Sequence, residues 1–340
     1  MAGGEERASD RVLIPVGAPA PKRPPGDRIE TLGGETMGTT WRVRYVAPPG
    51  LTPEDARAAV QAELDGVIAL FSPWEPSSEV SRFNSAPAGM WAVSTGFWSL
   101  LDAAMDIADE TNGAVDPTLG ALVDLWGFGP PGPVAAPPSD EAVAEARAVS
   151  GWQGLRLSRE HRGVMQVGGM KLDFSAIAKG HAVDRVSARL VALGASSHLV
   201  EIGGELKGVG VKPDAQPWWV EIEAAPGNSA PRTVAALFDL AVATSGDYRR
   251  AFEHEGTVYS HTVDGATGRP IGSDLAAVTV FHASAMRADA LATALYVMGP
   301  VDGPGYAEAV GLAACFTERT PQGLVERMTP AWTAMMDEGA

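Results

Sequence analysis

The fold of this 340-residue chain is most constrained by a series of short strand-like segments after Trp152. These segments, separated by Gly, Pro and Asn turns, read LRLS, GVMQV, MKLDF, SHLVEIG, WWVEIEA and TVAALFDLAVATS. Helical patterns gather before Trp152 and near the C-terminus, where a further strand, AAVTVFHAS, also lies. Because strands and helices come in runs rather than in strict alternation, the pattern favours an α+β fold over a doubly wound parallel sheet.

The helical segments carry recognisable start and stop signals. TPEDARAAVQAELDGVIALF opens with a threonine cap and a capping-box pattern, and Ser139 caps a later helix. MRADALATALYVMGP is predicted to end at Gly299 and Pro300. The Pro-, Gly- and charge-rich residues 1–30 are predicted to be a flexible leader, so that order begins near Thr31 with one domain over residues 31–336.

Composition excludes some classes of protein. A formal net charge of -16 repels polyphosphate backbones, which argues against nucleic-acid binding. No apolar stretch approaches the ~20 residues of a membrane span. The leader has neither an apolar signal region nor a cysteine for lipid attachment, so we expect a cytoplasmic protein if the chain is complete, or a periplasmic or membrane-anchored one if an export signal was removed. An anionic ligand would need local help from a divalent cation, helix N-termini or a few basic residues.

The segment KLDFSAIAKGHAVDRVSARL, residues 171–190, is a candidate anion site. Lys179 and Gly180 at a predicted strand-to-helix turn offer an ammonium and backbone N–H groups to phosphate oxygens. Asp173 is suited to accept a hydrogen bond from a ribose or a ring nitrogen. A purely structural alternative is that Asp173 pairs with Lys179. The segment lacks the Walker and GxGxxG spacings.

In ADALAT, Asp289 and Thr293 are four residues apart, so a helix places both oxygens on one face. Magnesium accepts such a sparse set because it keeps several waters and takes other ligands from phosphates or backbone carbonyls. The alternative is a solvated aspartate and a threonine bonded to its own helix.

His261 lies in YSHTVDGATGRP, before a turn rich in donors and with an acid at Asp264. A lone histidine is usually structural or exposed, but this setting suits a general base or a phosphate-positioning residue. His181 fits packing as well as function.

Seven segments taken in order resemble the ApbE family, the FAD:protein FMN transferases: TMGTTW, SPWEPSSEVSRFN, GAVDPTLGALVDLWGFG, LDFSAIAKGHAVD, VEIGGELKG, TSGDYRRAF with YSHTVDGATGRPI, and SAMRADALATAL. The resemblance implies a compact, T-fold-related α+β domain with antiparallel sheets and packed helices. It also implies that FAD is the substrate and Mg²⁺ the cofactor. FMN would pass to a threonine or serine hydroxyl of a target flavoprotein, such as an electron-transfer subunit of a sodium-pumping quinone reductase, releasing AMP.

The resemblance also implies roles for individual residues. His261 would be the catalytic base, and the metal would be held by Asp289, Thr293 and the backbone carbonyl of Ala176. The flavin nucleotide would contact Met37, Trp74, Ala114, Val115, Asp116, Asp173, Lys179 and Ile271. The chain departs from common family residues by having Trp74 and His181 for tyrosine, Glu205 for aspartate, and Ala292 where some relatives carry an acid.

Two other functions compete with transfer. An FAD pyrophosphatase would use water in place of the acceptor hydroxyl and release FMN and AMP. A non-catalytic flavin-binding protein would need no base, and the joint presence of His261, Asp289 and Thr293 argues against it.

Overall fold

The computed structural model describes residues 10–17, 22–24, 26–247, 250–272 and 274–337. Its strands, in chain order, are β1 (Arg11–Leu13), β2 (Ile29–Thr36), β3 (Thr39–Val46), β4 (Gly89–Ala92), β5 (Leu157–Ser158), β6 (Gly163–Gln166), β7 (His198–Ile202), β8 (Glu205–Val209), β9 (Trp218–Ile222), β10 (Thr233–Leu237), β11 (Leu240–Gly246), β12 (Ala251–His254), β13 (Thr257–Ser260), β14 (Val263–Asp264), β15 (Arg269–Pro270), β16 (Leu275–His282), β17 (Ala313–Thr320) and β18 (Gly323–Met328). Its helices are α1 (Pro53–Phe71), α2 (Glu79–Asn84), α3 (Thr95–Glu110), α4 (Gly120–Leu125), α5 (Asp140–Ala148), α6 (Ala178–Ala192), α7 (Ala285–Ala309) and α8 (Pro330–Asp337), with a 3₁₀ turn at Trp152–Gly154.

An eight-stranded sheet in the order β18-β17-β16-β11-β8-β7-β3-β2 organises the fold, and every neighbouring pair in it is antiparallel. Side chains alternate between its two faces, as the pleat requires. A three-stranded sheet in the order β1-β10-β9 packs on one of these faces. The predicted α+β fold with antiparallel sheets and packed helices is therefore confirmed, with the β1–β10 pair as a parallel exception.

Helices cover the other face of the large sheet, which we call the front face. Val43 of β3 and Val200 of β7 point into a core shared with α1, α3 and α6, including Val183. Farther along the same face, Leu291 of α7 packs with Val280 of β16. Helices α6 and α7 thus lie on the same face of the sheet, and this arrangement places their N-terminal turns together.

On the back face, the small sheet and α8 enclose a second core around Trp218 and Trp332. Leu13 of β1 is fully buried there, and β1 pairs with β10 over three residues. The prediction of a flexible leader is wrong for Arg11–Leu13, which form a strand whose Leu13 side chain is buried in this core. Residues 1–9, 18–21 and 25 of the predicted leader lie outside the described residues. The chain also enters β2 at Ile29, slightly before the predicted start.

Two strand predictions are wrong in detail. The segment MKLDF forms a single bridge, Leu119 to Lys171, because Asn84 takes the place of a neighbouring strand. The Asn84 amide donates to the Leu172 carbonyl (2.9 Å) and accepts from the Leu172 amide (2.7 Å). The segment TVAALFDLAVATS is two strands, β10 and β11, which turn at Asp239 in the left-handed region (φ 50°) and belong to different sheets.

Helix α7 passes the predicted stop but is interrupted there. Gly299 has φ 75° and ψ -173°, so two helical segments meet at a kink where the sequence places Gly299 and Pro300. Across the described residues, no helix is both long enough and apolar enough to cross a membrane.

Helices α6 and α7 approach closely at Gly180. A Cβ atom at Gly180 would lie 2.2 Å from the Ala285 carbonyl oxygen and 2.8 Å from the Asp289 Cβ. The absence of a side chain at this position therefore fixes the spacing of the two helices.

We predict that Gly180→Ala destabilises the protein by about 1–3 kcal/mol, because the added methyl overpacks the helix contact. Gly66→Ala in α1 is the matched control, since a Cβ there meets no atom within 4 Å and alanine is the better helix former by about 1 kcal/mol. Urea unfolding of both variants measures the effect. Equal stabilisation by the two substitutions would contradict the close contact.

His198 is a fully buried histidine between α6 and β7. Its Nδ1 donates to the Ala195 carbonyl (2.8 Å), which leaves Nε2 to accept from the Ser187 hydroxyl (2.8 Å). Burial lowers the pKa of His198 to about 4. The folded protein therefore holds this ring neutral where the unfolded chain protonates it.

We predict that stability falls as the pH drops from about 6.5 towards 4, because the unfolded state then binds the extra proton. The contribution of His198 to this loss is about 3 kcal/mol. His181, whose pKa burial also lowers to about 4, adds in the same direction. Unfolding free energies between pH 4 and 8 should show a shallower slope for His198→Gln than for the wild type, and an unchanged slope for exposed His161→Gln.

Candidate active site

The candidate site lies where α6 begins against α7. Ile177, the residue before α6, provides no side-chain cap, so the first N–H groups of the helix have to find other partners. The Gly180 amide donates to the Asp289 carboxylate (Oδ2, 2.9 Å), which reaches across from α7. An acidic side chain therefore completes the helix N-terminus, where negative charge is favoured.

Lys179 links two buried carboxylates. Its ammonium donates to Glu205 Oε1 on β8 and lies 3.8 Å from Asp289 Oδ1. The side chains of Glu205 and Asp289 are 3% and 5% exposed, whereas that of Lys179 is 34% exposed. Two buried carboxylates thus share one partly exposed ammonium group.

This group of three has an excess of negative charge when both acids are ionised. Burial raises the pKa of Asp289, an effect that Lys179 opposes and Glu205 strengthens. Glu205 Oε2 is also buried and has no hydrogen-bond partner among the described residues. A further positive charge at this point would relieve both costs, so the donor set fits a cation.

The predicted metal ligands lie on or next to the two helices that meet at Gly180. Asp289 and Thr293 lie one turn apart on α7, and the Thr293 hydroxyl is 3.0 Å from the Ser245 hydroxyl of β11. Ala176 lies two residues before α6, and the Gly180 amide that would bond its carbonyl in a regular helix donates to Asp289 instead. In the part of the chain that the structure describes, that carbonyl accepts no hydrogen bond.

These oxygen donors suit magnesium, which retains waters and needs few protein ligands. Within the same described ranges, no three His, Cys, Asp or Glu side chains form a ready-made metal cluster. That the carboxylate of Asp289, the hydroxyl of Thr293 and the carbonyl of Ala176 bind a metal stays a prediction.

His261 follows β13, and its ring is held in one orientation. Its Nδ1 donates to the Arg250 carbonyl (3.1 Å), so the Nε2 lone pair is the acceptor end of the ring. The edge of the ring faces Phe128, with centroids 6.3 Å apart. Burial chiefly lowers the pKa of His261, and the charges of Arg250 and Lys179 lower it further. The ring is therefore neutral near pH 7 and can accept a proton.

Asp173 lies between the bridge residue Lys171 and α6, partly open to solvent. Its Oδ1 accepts from the Ser175 amide (2.7 Å). Burial raises the pKa of Asp173, with smaller effects from Asp124, which raises it, and Arg250, which lowers it. The structural alternative, an ion pair of Asp173 with Lys179, is wrong, because the Lys179 ammonium contacts Glu205 and Asp289 instead.

Asp116 holds its own loop together. Its Oδ1 accepts from the Thr118 amide (2.8 Å) and hydroxyl (2.6 Å), and its Oδ2 accepts from the Trp152 amide (3.0 Å). Both oxygens thus accept hydrogen bonds within the protein, and the flavin contacts expected of Ala114, Val115 and Asp116 stay predictions.

The remaining predicted nucleotide contacts lie on three separate segments of the chain. Met37 occupies the β2–β3 turn in the left-handed region (φ 47°) and packs partly against the front-face core. Trp74, in the loop between α1 and α2, is 53% exposed and offers an open indole face. Ile271 packs partly against the α7 core. Their contacts with FAD stay predictions.

Two residues of the candidate site are not predicted from the sequence. Ser245 lies within TSGDYRR, and the alternation along β11 places it on the same face as Ala243, towards α7. Glu205 differs from the common family residue, and its partner Lys179 lies 26 residues away. Strand periodicity could have indicated Ser245, whereas no local pattern pairs Glu205 with Lys179.

The chain is similar to known proteins over most of its length. A model of the ApbE family matches residues 37–316. A Vibrio cholerae protein called FAD:protein FMN transferase is 37% identical over 310 residues, covering 89% of this chain and 91% of its own length. A Haemophilus influenzae protein of the same name is 34% identical over 325 residues, covering 91% and 92% of the two chains.

Solved structures are similar over nearly their full length. The flavinyl transferase ApbE of Pseudomonas stutzeri, in its apo form, has a TM-score of 0.85 and 41% identity, covering 91% of this chain and 97% of that one. The Thermotoga maritima ApbE protein has a TM-score of 0.82 and 28% identity, covering 91% and 99%. With the family model spanning most of the sequence and the fold shared throughout, the chain belongs to the ApbE family.

Proposed function

We propose that this protein transfers FMN from FAD to a threonine or serine hydroxyl of a target flavoprotein, with Mg²⁺, and releases AMP. The observation that carries the proposal is the convergence of the Asp289 carboxylate, the Lys179 ammonium and the start of α6 at one point. The names of the relatives, FAD:protein FMN transferase, support the same substrate. An acidic chain needs such a local arrangement to hold a pyrophosphate.

Asp289, Thr293 and the Ala176 carbonyl would hold the magnesium ion. When bound, the ion stabilises the negative charge that develops on the phosphate oxygens. Ser245 orients the Thr293 hydroxyl through their 3.0 Å contact. Asp289 in turn is oriented by the Gly180 amide, which fixes one of its oxygens and leaves the other towards Lys179.

Lys179 would bind the pyrophosphate. Its ammonium group is partly exposed, so it can contact a phosphate oxygen at the solvent side of the two carboxylates. The Gly180 amide, which the sequence also offers to phosphate, donates to Asp289 instead. The ammonium charge lowers the cost of bringing a dianionic linkage to a protein of net charge -16.

His261 would act as the general base. Its Nε2 accepts the proton of the acceptor hydroxyl while the hydroxyl oxygen forms a bond to the FMN phosphorus. The bond from that phosphorus to the bridging oxygen breaks, and the electron pair leaves with AMP. The Arg250 carbonyl holds Nδ1 protonated, so the ring has the required tautomer before substrate arrives.

We predict that His261→Ala lowers the transfer rate about 10²- to 10⁴-fold, the usual contribution of a general base, while FAD binding is retained. Intact mass spectrometry of a threonine-containing acceptor follows transfer, and calorimetric titration follows FAD binding. His254→Ala in neighbouring β12 is the matched control and should transfer normally. Full transfer by His261→Ala would remove this residue from the mechanism. Release of FMN and AMP without modification of the acceptor would favour the pyrophosphatase.

We predict that Asp289→Asn abolishes magnesium-dependent activity without loss of stability. The substitution leaves Lys179 paired with Glu205 and removes the excess buried charge, so the melting temperature should stay equal or rise. Titration of FAD with and without Mg²⁺ should show that the metal no longer strengthens binding. Asp65→Asn on the exposed face of α1 is the control. Retained magnesium dependence in Asp289→Asn would contradict the proposed metal site.

A further inference from the structure

A second acidic side chain of α6 also binds α7. Asp184 lies four residues after Gly180, on the same helix face. Its Oδ2 accepts from the Ser284 hydroxyl (2.7 Å) and the Met286 amide (3.0 Å), and its Oδ1 accepts from the Ala285 amide (3.1 Å). A carboxylate from one helix thus satisfies the first orphan N–H groups of the other.

Lys207 of β8 completes this contact. Its ammonium donates to Asp184 Oδ1 (2.7 Å), and both side chains are mostly buried. Burial raises the pKa of Asp184, but the donors of Lys207, Ser284 and Met286 outweigh burial, so the net pKa lies below its usual value. Asp184 is therefore a fixed negative charge at the N-terminus of α7. We call Asp184, Lys207 and the α7 N-terminal residues 284–286 the Asp184 clamp.

The ion pair of the Asp184 clamp has the same connection as the ion pair of the candidate site, because each joins a residue of β8 to a residue of α6. Glu205 and Lys207 lie on the same face of β8, and they pair with Lys179 and Asp184 of α6 respectively. Each of these two α6 residues also contacts α7, Lys179 through Asp289 and Asp184 through the first turn. The Lys179–Glu205 and Asp184–Lys207 ion pairs therefore have opposite polarity. Their α6 members contact α7 from two successive turns of α6.

The position of α7 decides where the predicted metal ligands point. Each residue turns an α-helix by about 100° about its axis. A rotation of α7 by a single residue would therefore turn the side chains of Asp289 and Thr293 away from Ala176. Asp289 follows the clamped residue Ala285 by one turn, and Thr293 follows Asp289 by another. The clamp holds α7 at residues 284–286, and the ion pair of Arg287 with Glu110 of α3 holds the next part of the same turn.

We propose that Asp184 is a positioning residue that sets the geometry of the cation site by holding the N-terminus of α7. The proposal rests on the proposed function, because it takes Asp289 and Thr293 as the metal ligands. Residues that orient metal ligands from outside typically contribute 10- to 100-fold in metal affinity. The same range is expected here for the loss of Asp184.

The test measures metal affinity apart from turnover. Mn²⁺ is titrated by electron paramagnetic resonance into the full chain with FAD and without acceptor. Asp184→Asn keeps the side-chain size but presents an N–H₂ group to backbone donors, so the apparent Mn²⁺ dissociation constant should rise about 10- to 100-fold. Transfer by Asp184→Asn should recover towards the wild-type kcat at saturating Mg²⁺, because the clamp does not touch the substrate.

Two further variants separate positioning from general weakening. Glu63→Gln breaks the ion pair that Arg185, the next residue of α6, makes with α1, on a side of the helix away from α7. This control should lose thermal stability while keeping the wild-type Mn²⁺ affinity. Lys207→Met leaves the α7 cap in place and should weaken Mn²⁺ binding less than Asp184→Asn does. If Asp184→Asn fails to fold, Asp184→Glu, which keeps the charge but displaces it, carries the same comparison.

The outcomes distinguish this proposal from the proposed function. Wild-type protein that binds no Mn²⁺ in the presence of FAD would overturn the metal site itself. Wild-type binding with an unchanged dissociation constant in a folded Asp184 variant would overturn only the positioning role. A lower melting temperature with unchanged Mn²⁺ affinity would likewise assign Asp184 to stability alone.

Discussion

The hydrogen bond from the Gly180 amide to the Asp289 carboxylate is the interaction on which the active-site region depends. It joins the start of α6 to the first third of α7, and it forms only because Gly180 lets the helices approach within the reach of an aspartate. This hydrogen bond orients the Asp289 carboxylate and satisfies a helix N–H that water would otherwise bind. Because the Gly180 amide donates to Asp289, it does not donate to the Ala176 carbonyl, as it would in a regular helix. The helix contact and the proposed chemistry therefore share this point.

Charge is distributed unevenly around this contact. Three buried or half-buried carboxylates, from Glu205, Asp289 and Asp184, are set against the two ammonium groups of Lys179 and Lys207. The Asp184 end is neutralised by Lys207 and by the dipole of α7, whereas the Asp289 end keeps a negative excess. In the proposed function, this charge difference would attract a divalent cation to one side of the helix pair, and the bound cation would then attract the pyrophosphate that an acidic surface repels.

Much of the site follows from local sequence patterns, and the rest depends on long-range contacts. The spacing of Asp289 and Thr293 on a helix, and the turn after His261, are visible in a window of a few residues. The strand expected at MKLDF is wrong because a distant side chain, Asn84, satisfies the backbone of Leu172. The pairs that bring α6, β8 and α7 together join residues up to 110 positions apart (Lys179 to Asp289), which periodicity cannot connect. The fold class was accessible from strand runs, but the assembly of the site was not.

The short strand β1 has a consequence for how the molecule faces its surroundings. Arg11–Leu13 lie in the small sheet on the back of the large one, opposite the helices that carry the candidate site. A polypeptide or lipid attached ahead of Arg11 would therefore leave from the rear of the domain. An enzyme tethered in this way would present its reactive side outward, where a bulky protein acceptor can approach without steric conflict with the anchoring surface.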